Sequence, residues 1–132
     1  MNIKIGFPPN IQQIRQHTNP DQNTIYCYGD TIFNPSGQEI PADILLHEAV
    51  HIDQQKKFRH PDFWWQKYLL SPEFRKQEEL EAYQKQINWV KEKVGSKAAE
   101  ECLEECAENL SKLYNLGINK YQAKTFIRKW KS

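Results

Sequence analysis

The stretch Pro41-Ala-Asp-Ile-Leu-Leu-His-Glu-Ala-Val-His51, continuing through Ile52-Asp-Gln-Gln-Lys-Lys-Phe58, decides how the rest of the chain is read. Proline suits a first helical turn, because the N–H it lacks is one that a helix start leaves unpaired. Asp43 sets a negative charge near the positive end of the helix dipole. Ile44, His47, Val50, His51 and Phe58 recur at three- and four-residue spacings. The sequence therefore predicts one long helix. Lys56, Lys57 and Arg59 stand where cations suit its C-terminus, and Pro61 is its expected stop.

Within that helix, His47-Glu48-Ala49-Val50-His51 reads HExxH. Residues four apart lie one turn apart on the same face, so both imidazoles can reach one ion. Zinc takes histidine nitrogens at about 2.0–2.1 Å, and a catalytic zinc keeps three protein ligands plus a water. Glu48 sits about 100° round the helix from His47, close enough to meet that water without ligating, and is the expected general base. A shuffled chain of this composition would carry the pattern about once in a hundred tries. Leu45, Leu46 and Val50 supply apolar surface to bury the helix.

A third ligand is required. A glycine three residues after His51 and a third histidine three later would extend the motif, but those positions hold Gln54 and Lys57. Gln54 shares the histidines' face, where it either supports the site or is ordinary polarity. His60 precedes Pro61 at the expected helix end. A second long helix is predicted over about Glu73 to Val94, with Leu80, Tyr83, Ile87 and Val90 as its apolar stripe. Glu79 falls roughly 60° from the centre of that stripe, whereas Glu78 and Glu81 fall roughly 140–160° away and are expected in solvent. A carboxylate aimed at a core needs a partner, and a zinc ion is one. The expected ligands are thus His47, His51 and Glu79.

Outward from this pair of helices, Ile3 and Ile5 alternate with polar neighbours as a strand, and Ile11 and Ile14 mark a short helix. Thr24 to Phe33 reads as a hairpin around Gly29-Asp30, closed by the loop Asn34–Gly37. Phe63 to Leu70 is a short aromatic-rich segment in which Trp64, Trp65 and Tyr68 suit a core better than a cleft. Further helices are expected over about Lys97 to Leu116, ended by Gly117, and over Lys120 to Trp130. At 132 residues the chain holds one domain, 1–132, of α+β class: a short N-terminal hairpin or sheet packed on a helical bundle.

Composition excludes several classes. With 39% hydrophobic and 27% charged residues the chain is not disordered, and no apolar run approaches the length that crosses a bilayer. The N-terminus lacks the pattern of a secretory signal, so a cytoplasmic protein with Cys27, Cys102 and Cys106 reduced is expected. Net charge is only +1, but it is uneven. Glu73–Glu108 holds ten acids against six bases, a balance of −4, and Asn109–Ser132 holds six bases and no acid. Lys120, Lys124, Arg128, Lys129 and Lys131 form a basic face on the last helix. A solvated face is the default reading; its alternatives are nucleic acid, an anionic surface or the acidic neighbouring helix.

HExxH followed 28 residues after its second histidine by Glu79-Leu-Glu-Ala82 resembles the gluzincin type of zinc metallopeptidase. Tyr28-Gly-Asp-Thr-Ile-Phe-Asn-Pro35, the Ile40-Pro41 before the helix, Phe74-Arg75 and Glu79–Tyr83 resemble small bacteriophage-type metallopeptidases, over roughly residues 24–86. The resemblance implies a minimal zincin-like fold, a His-His-Glu zinc site, and peptide-bond hydrolysis with Glu48 as base. It also implies that an extended peptide or protein substrate adds as a strand to an edge matching Thr31–Phe33. Larger gluzincins carry an aspartate four residues after the ligand glutamate; here that position is Tyr83, which offers a hydroxyl instead. Tyr68, Tyr83, Tyr114 and Tyr121 are all candidates to stabilise an oxyanion. The rival expectation is a non-catalytic, zinc-stabilised binding module acting through a protein or nucleic-acid partner, since a chain this short has no second lobe to wall a deep cleft.

Overall fold

A computed structural model describes residues 1–130. Its elements in order are β1 (Asn2–Lys4), α1 (Ile11–His17), β2 (Tyr26–Tyr28), β3 (Thr31–Phe33), α2 (Ala42–Lys56), α3 (Pro61–Leu70), α4 (Pro72–Lys93), α5 (Ser96–Leu113) and α6 (Lys120–Lys129). The class is α+β, six helices beside one small sheet.

The hairpin turns at Gly29, whose φ of 64° is open to glycine at no steric cost. Strand order is β1-β3-β2. β2 runs antiparallel to β3 with Cys27 opposite Ile32, and β1 runs parallel to it with Ile3 opposite Ile32. This corrects one expectation. Thr31–Phe33 is the middle strand, its main-chain groups taken on both sides, so it has no free edge to which a substrate strand could add. The hairpin alone did not reveal that the N-terminal strand returns to cover that edge.

Pro61 also plays a different part. α2 ends at Lys56, before Phe58, and Pro61 opens the next helix. His60 caps that helix, its Nδ1 accepting from the Asp62 N–H at 3.1 Å. The aromatic segment is therefore helix α3. The arrangement repeats at once: Ser71 Oγ accepts from the Phe74 N–H at 3.2 Å and Pro72 fills the first turn of α4. α5 stops at Leu113, short of the expected Leu116, and Asn115 turns the chain with φ 54°.

Three groups of side chains make the core. Leu80, Tyr83, Leu103, Leu110 and Ile127 join α4, α5 and α6. Ile14, Tyr26, Trp64, Trp65, Tyr68 and Leu69 gather under α3. Cys27, Ile32 and Ile52 seat α2 on the sheet. Between the first two lies Arg75, buried, donating from Nε to the Tyr114 carbonyl at 2.8 Å and from Nη1 to those of Tyr68 and Leu69 at 2.8 and 3.2 Å. One guanidinium thus satisfies carbonyls that the ends of α3 and α5 leave unpaired.

The basic face of α6 has a partner within the chain. Lys120 pairs with Glu104 and Glu108 at 3.1 and 3.6 Å, Lys124 with Glu104, and Arg128 with Glu100 at 3.6 Å. Of the outlets considered for that face, the acidic neighbouring helix is the one these residues meet. Lys131 lies outside the described residues. All three cysteines are free, and among the described residues no helix is long and apolar enough to cross a membrane.

Candidate metal centre

α2 and α4 pack along one another and bring their polar residues face to face. His47, Glu48 and His51 come from α2 and Glu79 from α4, all at least nine-tenths buried. The ligand atoms of His47, Glu48 and His51 lie within 4.8 Å of one another. Glu79 Oε1 stands 3.1 Å from His47 Nε2, and its Oε2 stands 3.2 Å from His51 Nε2. The two Nε2 atoms are 3.2 Å apart.

The bonds behind the histidines fix what those nitrogens carry. The Gln86 amide donates from Nε2 to Asp43 Oδ2 at 2.8 Å, so its oxygen faces His47 Nδ1, at 3.0 Å. The Gln54 amide donates from Nε2 to the Glu78 carbonyl and to Glu81 Oε1, at 3.0 and 2.8 Å, so its oxygen faces His51 Nδ1, at 2.7 Å. An amide oxygen only accepts, so both Nδ1 atoms carry the proton and donate. In neutral imidazoles both Nε2 atoms then present bare lone pairs, converging with a carboxylate in a space that water barely reaches.

Such a cluster needs positive charge. Burial works to lower the His51 pKa, but the Glu79 carboxylate outweighs it and holds the ring's proton up to about 10. Burial likewise works to raise Glu79, and the two histidines outweigh it and keep the carboxylate well below its usual range. A metal ion meets the same need with all three donors at once. Two imidazole nitrogens oriented by hydrogen bonds at their far side, with one carboxylate, suit a divalent transition metal. The residues fit.

Glu48 differs from Glu79. Burial raises its pKa, and His47 and His51 offset that only in part. Its nearest nitrogen partner is His47 Nε2 at 4.0 Å. It faces open space on two sides: a cavity of about 50 Å³ also lined by Ile14, Trp65 and Tyr114, and a cleft of about 320 Å³ also lined by Thr24, Asp43 and Glu105. The segment Thr24–Ile25, leading into β2, borders both.

The remaining expectations sort by contact. Gln54 supports the site, as its bond to His51 shows. Glu78 and Glu81, expected in solvent, are half-buried: Glu78 accepts from Trp64 Nε1 at 2.9 Å and Glu81 from Gln54. His60 is a helix cap. Trp64 and Trp65 are core residues that also line the cavity, and Phe63 is exposed. Cys27 packs with Ile32 and Ile52, apart from Cys102 and Cys106, whose sulfurs lie 3.7 Å from each other.

Among the tyrosines, Tyr121 is 79% exposed on α6, and the Tyr68 hydroxyl donates to Glu79 Oε2 at 2.5 Å. Tyr83 and Tyr114 share one hydrogen bond of 2.8 Å, which leaves one hydroxyl proton of the pair to give elsewhere. Burial, reinforced by Glu79, pushes both well above 10, so both stay protonated. Both line the cleft, and the Tyr83 ring packs on His47 with 4.4 Å between centroids.

Sequence reasoning missed Gln86 and the role of Arg75, and named Tyr68 as a core aromatic and an oxyanion candidate but not as the donor to Glu79. Gln86 stands seven residues, two turns, beyond Glu79 on the same face, a spacing legible once Glu79 is chosen. The contacts that Tyr68 and Arg75 make carried no comparable signal. Comparison with protein-family models, curated proteins and solved structures finds no match to this chain.

Proposed function

We propose that the chain is a zinc-dependent peptide hydrolase with a minimal zincin-like core, holding zinc through His47 Nε2, His51 Nε2 and Glu79. The observation that carries this reading is the pair of glutamines that turn both histidine lone pairs onto Glu79, with Glu48 unbonded beside them. Zinc bound there supplies a Lewis acid for a scissile carbonyl and a water with a pKa near 7, on the order of other catalytic zinc sites. Glu48 takes a proton at its carboxylate; burial makes it a better proton acceptor than an exposed glutamate. The spare hydroxyl proton of the Tyr83–Tyr114 pair is positioned to meet developing negative charge on a substrate oxygen. The peptide occupies the cleft along Thr24–Ile25, the chain segment next to Glu48.

The test is zinc content by elemental analysis, followed by peptide hydrolysis. Wild-type protein should carry about one zinc per chain, and His47→Ala and Glu79→Ala should carry none. Glu48→Gln should keep its zinc and lose turnover. Wild-type protein that takes up no zinc after reconstitution defeats the reading.

A second reading is favoured by the burial of the ligands, since His47, His51 and Glu79 are only 5%, 5% and 2% exposed. In it, zinc stabilises a binding module and the protein acts through a partner. It predicts full zinc content, a large loss of stability on chelation, and no peptide turnover. The nucleic-acid reading of the tail is weakened by the ion pairs that α6 makes with α5.

A further inference from the structure

We propose that the cleft beside the metal centre recognises a cationic group of the peptide, a lysine or arginine side chain or a free amino terminus, held between Asp43 and Glu105. The inference rests on the peptidase reading and adds the chemical class of the substrate.

The cleft is lined by four carboxylates, Asp21, Asp43, Glu48 and Glu105, and among the described residues by no lysine or arginine. This is a local property, because the chain as a whole carries +1. α5 shows the contrast most clearly. Glu100, Glu104 and Glu108 are all paired with cations of α6, whereas Glu105, about 100° round the helix from Glu104, faces the cleft with no ion-pair partner among the described residues. Asp43 is half-buried and accepts one hydrogen bond, at Oδ2, from a neutral amide. Asp21 is set apart, since its Oδ1 already accepts from the Asn23 N–H and the Thr24 hydroxyl.

Glu48 supplies an independent sign that the cleft awaits a ligand. It is 6% exposed, opens on the cleft and, among the described residues, makes no hydrogen bond, with His47 Nε2 4.0 Å away. A carboxylate buried to that degree is costly without a partner. A divalent ion on the two histidines offsets the charges of Glu79 and Glu48 and leaves Asp43 and Glu105 unbalanced. Both lie close to the Cys106 thiol. Its hydrogen bond to Cys102 and its burial push that thiol up, and the two carboxylates push it further. A cleft lined by one sign of charge concentrates its field and draws in the opposite charge.

The test uses zinc-loaded Glu48→Gln protein, which holds peptide without turning it over, and fluorescence anisotropy of C-terminally labelled hexapeptides. One is N-acetylated with a central lysine, one is its norleucine counterpart, and one is the norleucine peptide with a free amino terminus. The lysine peptide should bind about tenfold tighter than the acetylated norleucine peptide, with an advantage that shrinks as salt rises. Glu105→Gln should erase most of that advantage while zinc content stays full; Asp43→Asn, whose carboxylate also orients Gln86 behind His47, should do the same when compared at equal zinc loading. A free-amine peptide that matches the lysine peptide shows that the subsite takes either cation, and one that binds tighter assigns it to the amino terminus. Equal binding of all three peptides overturns the inference and leaves the peptidase reading standing. A lysine preference that survives both substitutions also overturns it. Absence of any peptide binding at full zinc content overturns both.

Discussion

Glu79 and Glu81 are two residues apart on one helix and meet the site in different ways. Glu79 touches both histidines, and Glu81 touches only the glutamine behind His51. Glu79→Ala should therefore abolish zinc binding, while Glu81→Ala should weaken it by no more than about tenfold. Competition with a chromogenic chelator measures both, and equal effects would refute the assignment. Gln86→Leu and Gln54→Leu each free a histidine ring to turn, and each should cost about 10–100-fold in zinc affinity. Substitution by glutamate, which still accepts from Nδ1, should recover part of it. The phase of Glu79 was legible because Leu80 and Tyr83 fix which side of α4 is buried. Gln86 went unread although its seven-residue spacing from Glu79 sets it on the same face, because a glutamine on a helix has no charge to account for and gives no reason to look for its partner.

At the scale of elements, a proline was read as the end of one helix when it begins another. A cap followed by proline is the same signal in either case, and His60 and Ser71 each supply the cap. α3 escaped notice as a helix because it is buried on a broad front, Trp64, Trp65, Tyr68 and Leu69, which blurs the apolar stripe. It is tied to the hairpin by Tyr28, whose hydroxyl donates to Asp62 Oδ1 at 2.5 Å. Burial and that hydrogen bond push the Tyr28 pKa from 10.0 up to about 12. The neutral hydroxyl is thus favoured by folding. Its contribution is fully present below pH 10 and is lost as pH rises through about 12. Asp62→Asn should bring the Tyr28 ionisation back toward 10, read by ultraviolet difference titration against Tyr28→Phe. The parallel pairing of β1 was illegible for a different reason. It joins residues about thirty apart, and nothing local in either strand names the other.

At the scale of the whole molecule, opposite charges on α5 and α6 set how the chain closes. The balance of acids and bases along the sequence was plain from the start; that the two halves face one another is a fact of topology. Lys120→Gln with Lys124→Gln should lower the thermal midpoint at low salt, and by less at high salt, because exposed pairs are screened. Calorimetry at two ionic strengths checks this. Arg75 acts over a comparable distance. Arg75→Met leaves four carbonyl bonds unmade and should cost about 3 kcal/mol in denaturant unfolding. The same side chain holds the backbone of Tyr68, which braces Glu79, and of Tyr114, which walls the cleft. The position of Glu79 and the width of the cleft beside it therefore hang from a single peg. They cannot be tuned separately by changes near that peg, and a variant selected there for a wider cleft would arrive with Glu79 less firmly placed, which on the proposed reading loosens the hold on zinc.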